Sequence, residues 1–186
     1  MVPLVIFLVL ILLVVLIPVF IYNKLIRLRQ RVKNAWSQID VQLKRRHDLI
    51  PNLVEVAKGY MAHERETLEN VIKARNMAAS AEGIKEKGTA ENFLTSTLRS
   101  LFAVAENYPN LKADTQMLTL QEELTSTENR ISFARQHYND EVMRMNTQTE
   151  VFPSNMIANM FQFTKEEFFE IEDVAQREAP EINFGK

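Results

Sequence analysis

Residues 117–145 read MLTLQEELTSTENRISFARQHYNDEVMRM, and apolar or small side chains recur along them at alternating steps of three and four. The members of this stripe are Met117, Leu120, Leu124, Thr127, Ile131, Ala134, Tyr138, Val142 and Met145. Such steps place side chains on one face of an α-helix, and about four heptads predict a helix of about 30 residues that Asp114 can cap. The small or polar Thr127 and Ala134 favour close packing against other helices over an isolated two-stranded coiled coil.

The composition of the chain supports an all-α fold. Only 4 glycines and 6 prolines occur in 186 residues, which favours long helices over turn-rich β architecture. The sequence contains no cysteine, so disulfides, thiolate catalysis and cysteine-ligated zinc are excluded. The length is typical of one domain with appendages.

The first part of the chain is an uncharged apolar segment, residues 2–22. As a helix it would extend about 31 Å, close to the hydrocarbon thickness of a bilayer. A cleaved signal peptide is disfavoured because no Lys or Arg precedes the segment, the apolar run is too long and no Ala-x-Ala site follows. The sequence therefore predicts a retained transmembrane anchor over residues 1–23.

A basic stretch follows the apolar segment, with a charge balance of +6 over residues 24–50. Its cations are Lys24, Arg27, Arg29, Arg31, Lys33, Lys44, Arg45 and Arg46. The positive-inside rule then predicts a single-pass protein whose N-terminus lies outside and whose C-terminal body is cytoplasmic. The first five cations are explained by topology alone, whereas the later three either extend that signal or contact anionic membrane lipid. No nucleic-acid partner is expected, because no binding motif or interleaved aromatic residues accompany the charge.

Further helical stripes occupy the body between the anchor and the long helix. The first stripe continues out of the anchor through Leu25, Leu28, Val32, Ala35, Ile39 and Leu43. Pro51 and Gly59 interrupt its continuation. We expect two more helices, over residues 63–80 and 93–105, with a loop over residues 80–89 between them.

The end of the chain is an acidic and aromatic tail. Phe152-Pro153 ends the long helix, and a short apolar helix closes a helical body that spans residues 24–163. The tail, residues 164–186, is predicted either to be a solvated, partly disordered end or to dock into a partner groove. The side chains that would dock are Phe168, Phe169, Ile171 and Phe184.

No catalytic constellation is visible in the sequence. His47 and His137 are isolated, and His63-Glu64 lacks the second histidine of the zinc-protease motif. No glycine-rich phosphate loop and no Gly-x-Ser-x-Gly motif occurs. We therefore expect no enzymatic activity, no cofactor, no metal site and no small-molecule substrate.

Several motifs together resemble the LemA family of bacterial membrane proteins. They are WSQIDVQLKRRHDLIPNLV at 36–54, AENYPNLKA at 105–113, LQEELTSTENRI at 120–131, ARQHYN at 134–139 and the later Phe152-Pro153. The resemblance implies an antiparallel helical bundle with an outward N-terminus, in a bacterial inner (cell) membrane. Proteins that resemble this family occur among those of intracellular membrane organelle formation, and others are encoded beside membrane metalloproteases.

These observations lead to one leading hypothesis and one alternative, with an enzyme as the least favoured hypothesis. We expect a single-pass, membrane-anchored helical scaffold or adaptor that forms a homo-oligomer, binds another membrane protein such as a membrane metalloprotease, or does both. The alternative is a lipid-facing module that remodels the membrane through the basic stretch. Residues 106–109 are either a recognition loop or a helix–helix corner, and turn chemistry favours the corner.

Overall fold

The computed structural model describes residues 2–170, apart from the side chains at positions 9, 10 and 13, and its regular secondary structure is entirely helical. The helices are α1 (Val2–Lys58), α2 (Arg65–Ser80), α3 (Ile84–Ala105), α4 (Pro109–Lys112), α5 (Thr115–Glu150) and α6 (Ser154–Met160). The residues described contain no strand, which confirms the predicted all-α class.

Helix α5 is the long helix that the heptad stripe predicts. It has 36 residues and begins directly after Asp114, whose Oδ1 accepts the Met117 amide at 2.9 Å. The predicted cap is therefore present. Every residue of the stripe is buried except Leu120 and Ala134, which are half-buried.

Helix α1 contains both the apolar segment and the stripe that follows it. All six residues of that stripe, from Leu25 to Leu43, are buried as predicted. The helix runs on through Pro51 and ends at Lys58, so the proline does not end it. Among the described residues, no helix is both long enough and apolar enough to cross a membrane. The predicted transmembrane anchor is thus not confirmed.

The predicted loop over residues 80–89 is wrong in its second half, because α3 already begins at Ile84. Gly83 precedes the helix with a φ of 82°, a conformation that favours glycine. Gly88 lies buried within α3, where a Cβ atom would come within 2.6 Å of the Glu170 carbonyl oxygen. Close approach of another backbone, and not a turn, therefore explains this glycine.

The corner after α3 forms as turn chemistry predicts. Helix α3 ends at Ala105, and Pro109 opens the short helix α4, where its missing N–H has no intrahelical acceptor to lose. Helix α6 takes the place of the predicted closing helix after Pro153.

The described chain divides into two compact units. The first contains residues 2–43 and Asn129–Phe168, and the second contains Lys44–Glu128 and residues 169–170. Leu25, Ile39, Ile131, Tyr138 and Val142 are buried in the first unit. Aliphatic side chains from parts of α1 to α5 form the core of the second, among them Ile50, Leu53, Val71, Leu94 and Met117.

Candidate functional site

The second unit contains a charged cluster formed by three buried side chains, Arg46, His47 and Glu91, together with the half-buried Thr95. Arg46 and His47 are adjacent on α1, and each is less than one tenth exposed. Glu91 and Thr95 are four residues apart on α3, so they share one face of that helix. Glu91 is completely buried, which is exceptional for a carboxylate and requires compensating partners.

Both carboxylate oxygens of Glu91 have a cationic or polar donor. The Nη1 group of Arg46 lies 3.3 Å from Oε2, and Nε2 of His47 lies 2.6 Å from Oε1. A carboxylate oxygen only accepts, so His47 donates through Nε2. The second guanidinium nitrogen of Arg46, Nη2, donates to the Thr95 hydroxyl at 2.7 Å.

The charged cluster extends to two further helices of the same unit. Nη1 of Arg46 also lies 3.1 Å from Oε2 of Glu128 on α5, a side chain that is 46 % exposed. Nε of Arg75 on α2 donates to the His47 carbonyl oxygen at 3.1 Å. That carbonyl stands four residues before Pro51, which has no N–H to give it. Arg75 therefore replaces the helix hydrogen bond that the proline removes, and α1 continues through Pro51.

This arrangement is chemically suited to joining helices. Each charged group of the cluster is paired, and removing one partner from such a pair exposes the other to the full cost of burial. The carboxylate oxygens of Glu91 are both engaged by side chains of α1. Across the described residues, no three His, Asp or Glu side chains are grouped so that they could hold a metal ion.

Two tyrosines cross-link the corners of the second unit. The Tyr60 hydroxyl donates to Asp114 Oδ2 at 2.9 Å, and the Tyr108 hydroxyl donates to Glu64 Oε1 at 3.0 Å. Each bond to a carboxylate raises the pKa of its tyrosine. The Met117 amide and then the Tyr60 hydroxyl lower the pKa of Asp114. Tyr108 thus stabilises the corner between α3 and α4 by bonding to Glu64, which lies directly before α2.

A cleft of about 500 Å³ lies at the turn between α1 and α2. Its walls come from the end of α1, the following turn and α2, and its charged lining residues are Lys58, Arg65 and Glu69. Arg65 donates through Nε to Glu69 Oε1 at 2.7 Å, which raises the pKa of the guanidinium. The charges that line the cleft are thus partly compensated.

The structure separates the predicted cations of the basic stretch. Lys24, Arg27, Arg31 and Lys33 are exposed. Arg29 is half-buried, with its guanidinium 5.1 Å from the centre of the Phe163 ring.

The three later cations of the basic stretch have acidic partners. Lys44 bonds to Asp48 at 2.6 Å and lowers the pKa of that carboxyl, while Arg45 lies 3.9 Å from Glu123. Arg46 is enclosed in the charged cluster, so it is not available to contact lipid as predicted.

The described part of the acidic and aromatic tail is bound to its own chain. Asn146 of α5 makes two hydrogen bonds to the backbone of Glu166, and the Tyr138 hydroxyl donates to the Glu167 carbonyl oxygen at 2.8 Å. Burial, and then the charges of Glu166 and Glu167, raise the pKa of Tyr138 to about 12.

Of the four side chains predicted to dock into a partner groove, two are described, and these two differ in their exposure. Phe168 is 44 % exposed, but Phe169 is fully buried, so its ring does not lie on the surface as a docking residue would. Ile171 and Phe184 lie outside the described residues.

Sequence reasoning did not identify Glu91 and Thr95. The missed signal is periodic: Glu91 lies three residues before Leu94 and seven before Leu98, on the buried face of α3. A carboxylate on an apolar stripe predicts a buried partner of opposite charge. Extending the stripe of α3 backwards would have placed Glu91 in the core.

Comparison with known proteins identifies a matching family and a similar protein. A model of the LemA family matches residues 35–184. The chain is 24 % identical over 153 residues to Protein LemA of Metamycoplasma hominis, covering 82 % of this chain and 70 % of that protein.

Proposed function

The chain belongs to the LemA family, and we propose that it is a membrane-anchored helical scaffold that assembles with itself or with another membrane protein. One observation about α1 supports this proposal most strongly. Every described Val, Leu, Ile and Phe side chain in residues 2–20 is exposed, whereas the same helix is buried at Leu25, Leu28 and Val32. The apolar segment is therefore the exposed continuation of a packed helix.

Exposed apolar surface of this extent is unfavourable in water, because burying it gains about 25 cal/mol for each Å². A lipid bilayer is the surrounding that would cover all sides of an uncharged helical segment. No described helix qualifies as a span, so the proposal has two parts: attachment of the segment to the bilayer and its passage across the bilayer. The exposed cations Lys24, Arg27, Arg31 and Lys33 follow the segment and favour a cytoplasmic body with the N-terminus outside. The proposed location is the bacterial inner membrane.

Both parts are testable in membranes that contain the full-length chain. Attachment predicts that the protein stays in the membrane pellet after alkaline carbonate extraction. Because the sequence has no cysteine, single cysteines report topology without background. A membrane-impermeant maleimide added to intact cells should label Val2→Cys and should label Met143→Cys only after lysis. Release by carbonate would refute attachment, and labelling of both positions on the same side would refute passage.

The first unit offers a surface for assembly. A groove of about 570 Å³ lies between α1 and α5, and the exposed Val41 and Phe133 are among its lining residues. Phe133 is 73 % exposed, and aromatic side chains on such surfaces are enriched in protein interfaces. We propose that this groove binds a second copy of the chain, with a membrane protein such as a metalloprotease as the other candidate partner.

In-membrane crosslinking of the full-length protein tests assembly. The unaltered chain should give crosslinked dimers or larger species, and Phe133→Asp should reduce them. Met143→Asp is the matched control, because it introduces the same charge at an exposed apolar position of α5 outside the groove lining. A chain that is monomeric and recovers no membrane protein after crosslinking would refute the scaffold.

Membrane remodelling through the basic stretch is the second candidate function. Its support is reduced, because Arg46 is enclosed and Lys44 and Arg45 have acidic neighbours, which leaves mainly the four exposed cations. Salt-sensitive deformation of anionic vesicles by the full-length chain would favour it over a scaffold.

A further inference from the structure

The segment from residue 151 to residue 164 contains no charged side chain and no histidine. It includes α6, and its large apolar side chains face outward. The exposed fractions are 79 % for Phe152, 63 % for Met156, 75 % for Met160 and 52 % for Phe161. We call these four side chains the α6 surface.

The register of the first unit places the α6 surface beside the apolar segment. The rings of Trp36 on α1 and Tyr138 on α5 are in contact, with centroids 5.4 Å apart. Arg46 on α1 also pairs with Glu128 on α5, ten residues after Trp36 and ten residues before Tyr138, so the two helices are antiparallel.

The same register locates the end of α5. Tyr22 lies 14 residues before Trp36, and Glu150 lies 12 residues after Tyr138. These separations correspond to about 21 and about 18 Å along the helices. Helix α5 therefore ends nearly level with Tyr22, where the uncharged apolar segment also ends.

Direct contacts fix the other end of α6 at the same level. The ring centroid of Tyr22 lies 4.7 Å from that of Phe161 and 5.9 Å from that of Phe163. Both ends of α6 are thus level with Tyr22. Tyrosine with neighbouring cations is typical of the boundary between hydrocarbon and water, and the exposed Lys24 and Arg27 follow Tyr22 directly.

We infer that the α6 surface rests in the bilayer as a second membrane contact of the body, beside the apolar segment and on its cytoplasmic side. This inference rests on the proposed attachment of the apolar segment to the membrane. The occupant of the surface is phospholipid. Phospholipid is favoured over a protein partner because the surface is level with Tyr22, where the apolar segment ends, and residues 151–164 carry no charge that would have to leave water.

The contact would restrict the orientation of the first unit. A single helix leaves a body free to rotate about the membrane normal and to tilt. A second apolar contact, on α6, fixes one side of the body against the bilayer, as interfacial amphipathic helices do. Methionine suits this position because its flexible, polarisable side chain adapts to a fluid surrounding.

Site-directed spin labelling of the full-length protein in phospholipid vesicles tests the inference. The labelled variants are Met156→Cys and Met160→Cys, with Gln136→Cys as an exposed control on α5 about 21 Å before the end of that helix. Leu12→Cys reports the apolar segment itself. The measurement is collision of the label with oxygen, which enters the bilayer, and with a water-soluble nickel chelate.

The expected result is a several-fold higher oxygen-to-nickel collision ratio at positions 156 and 160 than at position 136. Water-exposed labels at 156 and 160 with a lipid-exposed label at position 12 would overturn the inference and leave attachment intact. Labels at 156 and 160 that become buried against a membrane protein reconstituted with the chain would have the same meaning. Water-exposed labels at all three positions would refute both proposals. A lipid-exposed label at 160 with a water-exposed label at 12 would also overturn the inference, because the α6 surface would then not be a second contact beside an embedded apolar segment.

Discussion

Neutralising Glu91 should destabilise the protein far more than neutralising an exposed glutamate. Glu91→Gln keeps the shape of the side chain and removes its charge, so the loss of stability reports the ion pair and not a cavity. Breaking a buried pair typically costs 3–5 kcal/mol. Arg46 keeps a second carboxylate at 3.1 Å, that of Glu128, so we expect a value near the lower end, about 3 kcal/mol.

The assay is thermal unfolding of the full-length protein in mild detergent, followed by circular dichroism at 222 nm. A change of 1 kcal/mol shifts the Tm of a chain of this size by about 2–4 °C, so Glu91→Gln should lower it by about 6–12 °C. The matched control is Glu123→Gln. Its partner Arg45 lies 3.9 Å away and both side chains are about half exposed, so the expected change is below about 1 kcal/mol.

A double variant separates charge pairing from packing. Arg46→Met with Glu91→Leu replaces both charges by apolar side chains, and buried pairs treated in this way often lose little stability. The double variant should therefore be more stable than Glu91→Gln alone. The reasoning fails if Glu91→Gln melts within about 2 °C of Glu123→Gln, or if the double variant loses as much as the two single changes together.

Three further predictions concern the backbone and the tail. Arg75→Ala should cost about 1–3 kcal/mol by leaving the carbonyl four residues before Pro51 unpaired, and adding Pro51→Ala should recover part of that loss in the same melting assay. Gly88→Ala should loosen residues 169–170 and speed their proteolytic cleavage, whereas Gly59→Ala, whose new Cβ meets nothing closer than 3.5 Å, should not. Folding raises the pKa of Tyr138 from 10.0 to about 12, so its contribution to stability is complete below pH 10 and lost as the pH rises through 12. Alkaline melting curves of the unaltered protein and Tyr138→Phe should therefore converge over that interval, and parallel curves would contradict this assignment.

The elements that sequence reasoning predicted well have an uninterrupted period. The stripe from Met117 to Met145 predicted α5 because apolar burial alone decides which face of a long helix is inside. Asp114 and Pro109 were identified for the same kind of reason, since caps and proline act through local geometry. Local rules succeed where the competing contacts are also local.

The predictions that failed depend on distant contacts. Gly88 looks like a loop residue, but the carbonyl oxygen of Glu170 approaches the helix so closely that only glycine fits there. Pro51 was expected to interrupt the helical stripe, but the helix continues because Arg75 supplies the missing donor from another helix. In each case the compensating group is remote in sequence, so the local pattern gives no sign of it.

The charged cluster shows how such a remote contact is encoded. Arg46 and His47 belong to a basic run whose obvious explanation is membrane topology, and Glu91 belongs to a region with few helical signals. Separately, each pattern favours a surface position. Together they are consistent with burial, because a carboxylate on the apolar face of α3 requires hydrogen-bond donors, and Arg46 and His47 of α1 supply them next to the buried stripe of that helix. The division of the basic stretch follows from this pairing: the cations before Val41 remain exposed or stack on an aromatic ring, and those after it have acidic partners within the second unit. Charge near the apolar segment is therefore available for the proposed membrane contact, while charge further along α1 stabilises the fold.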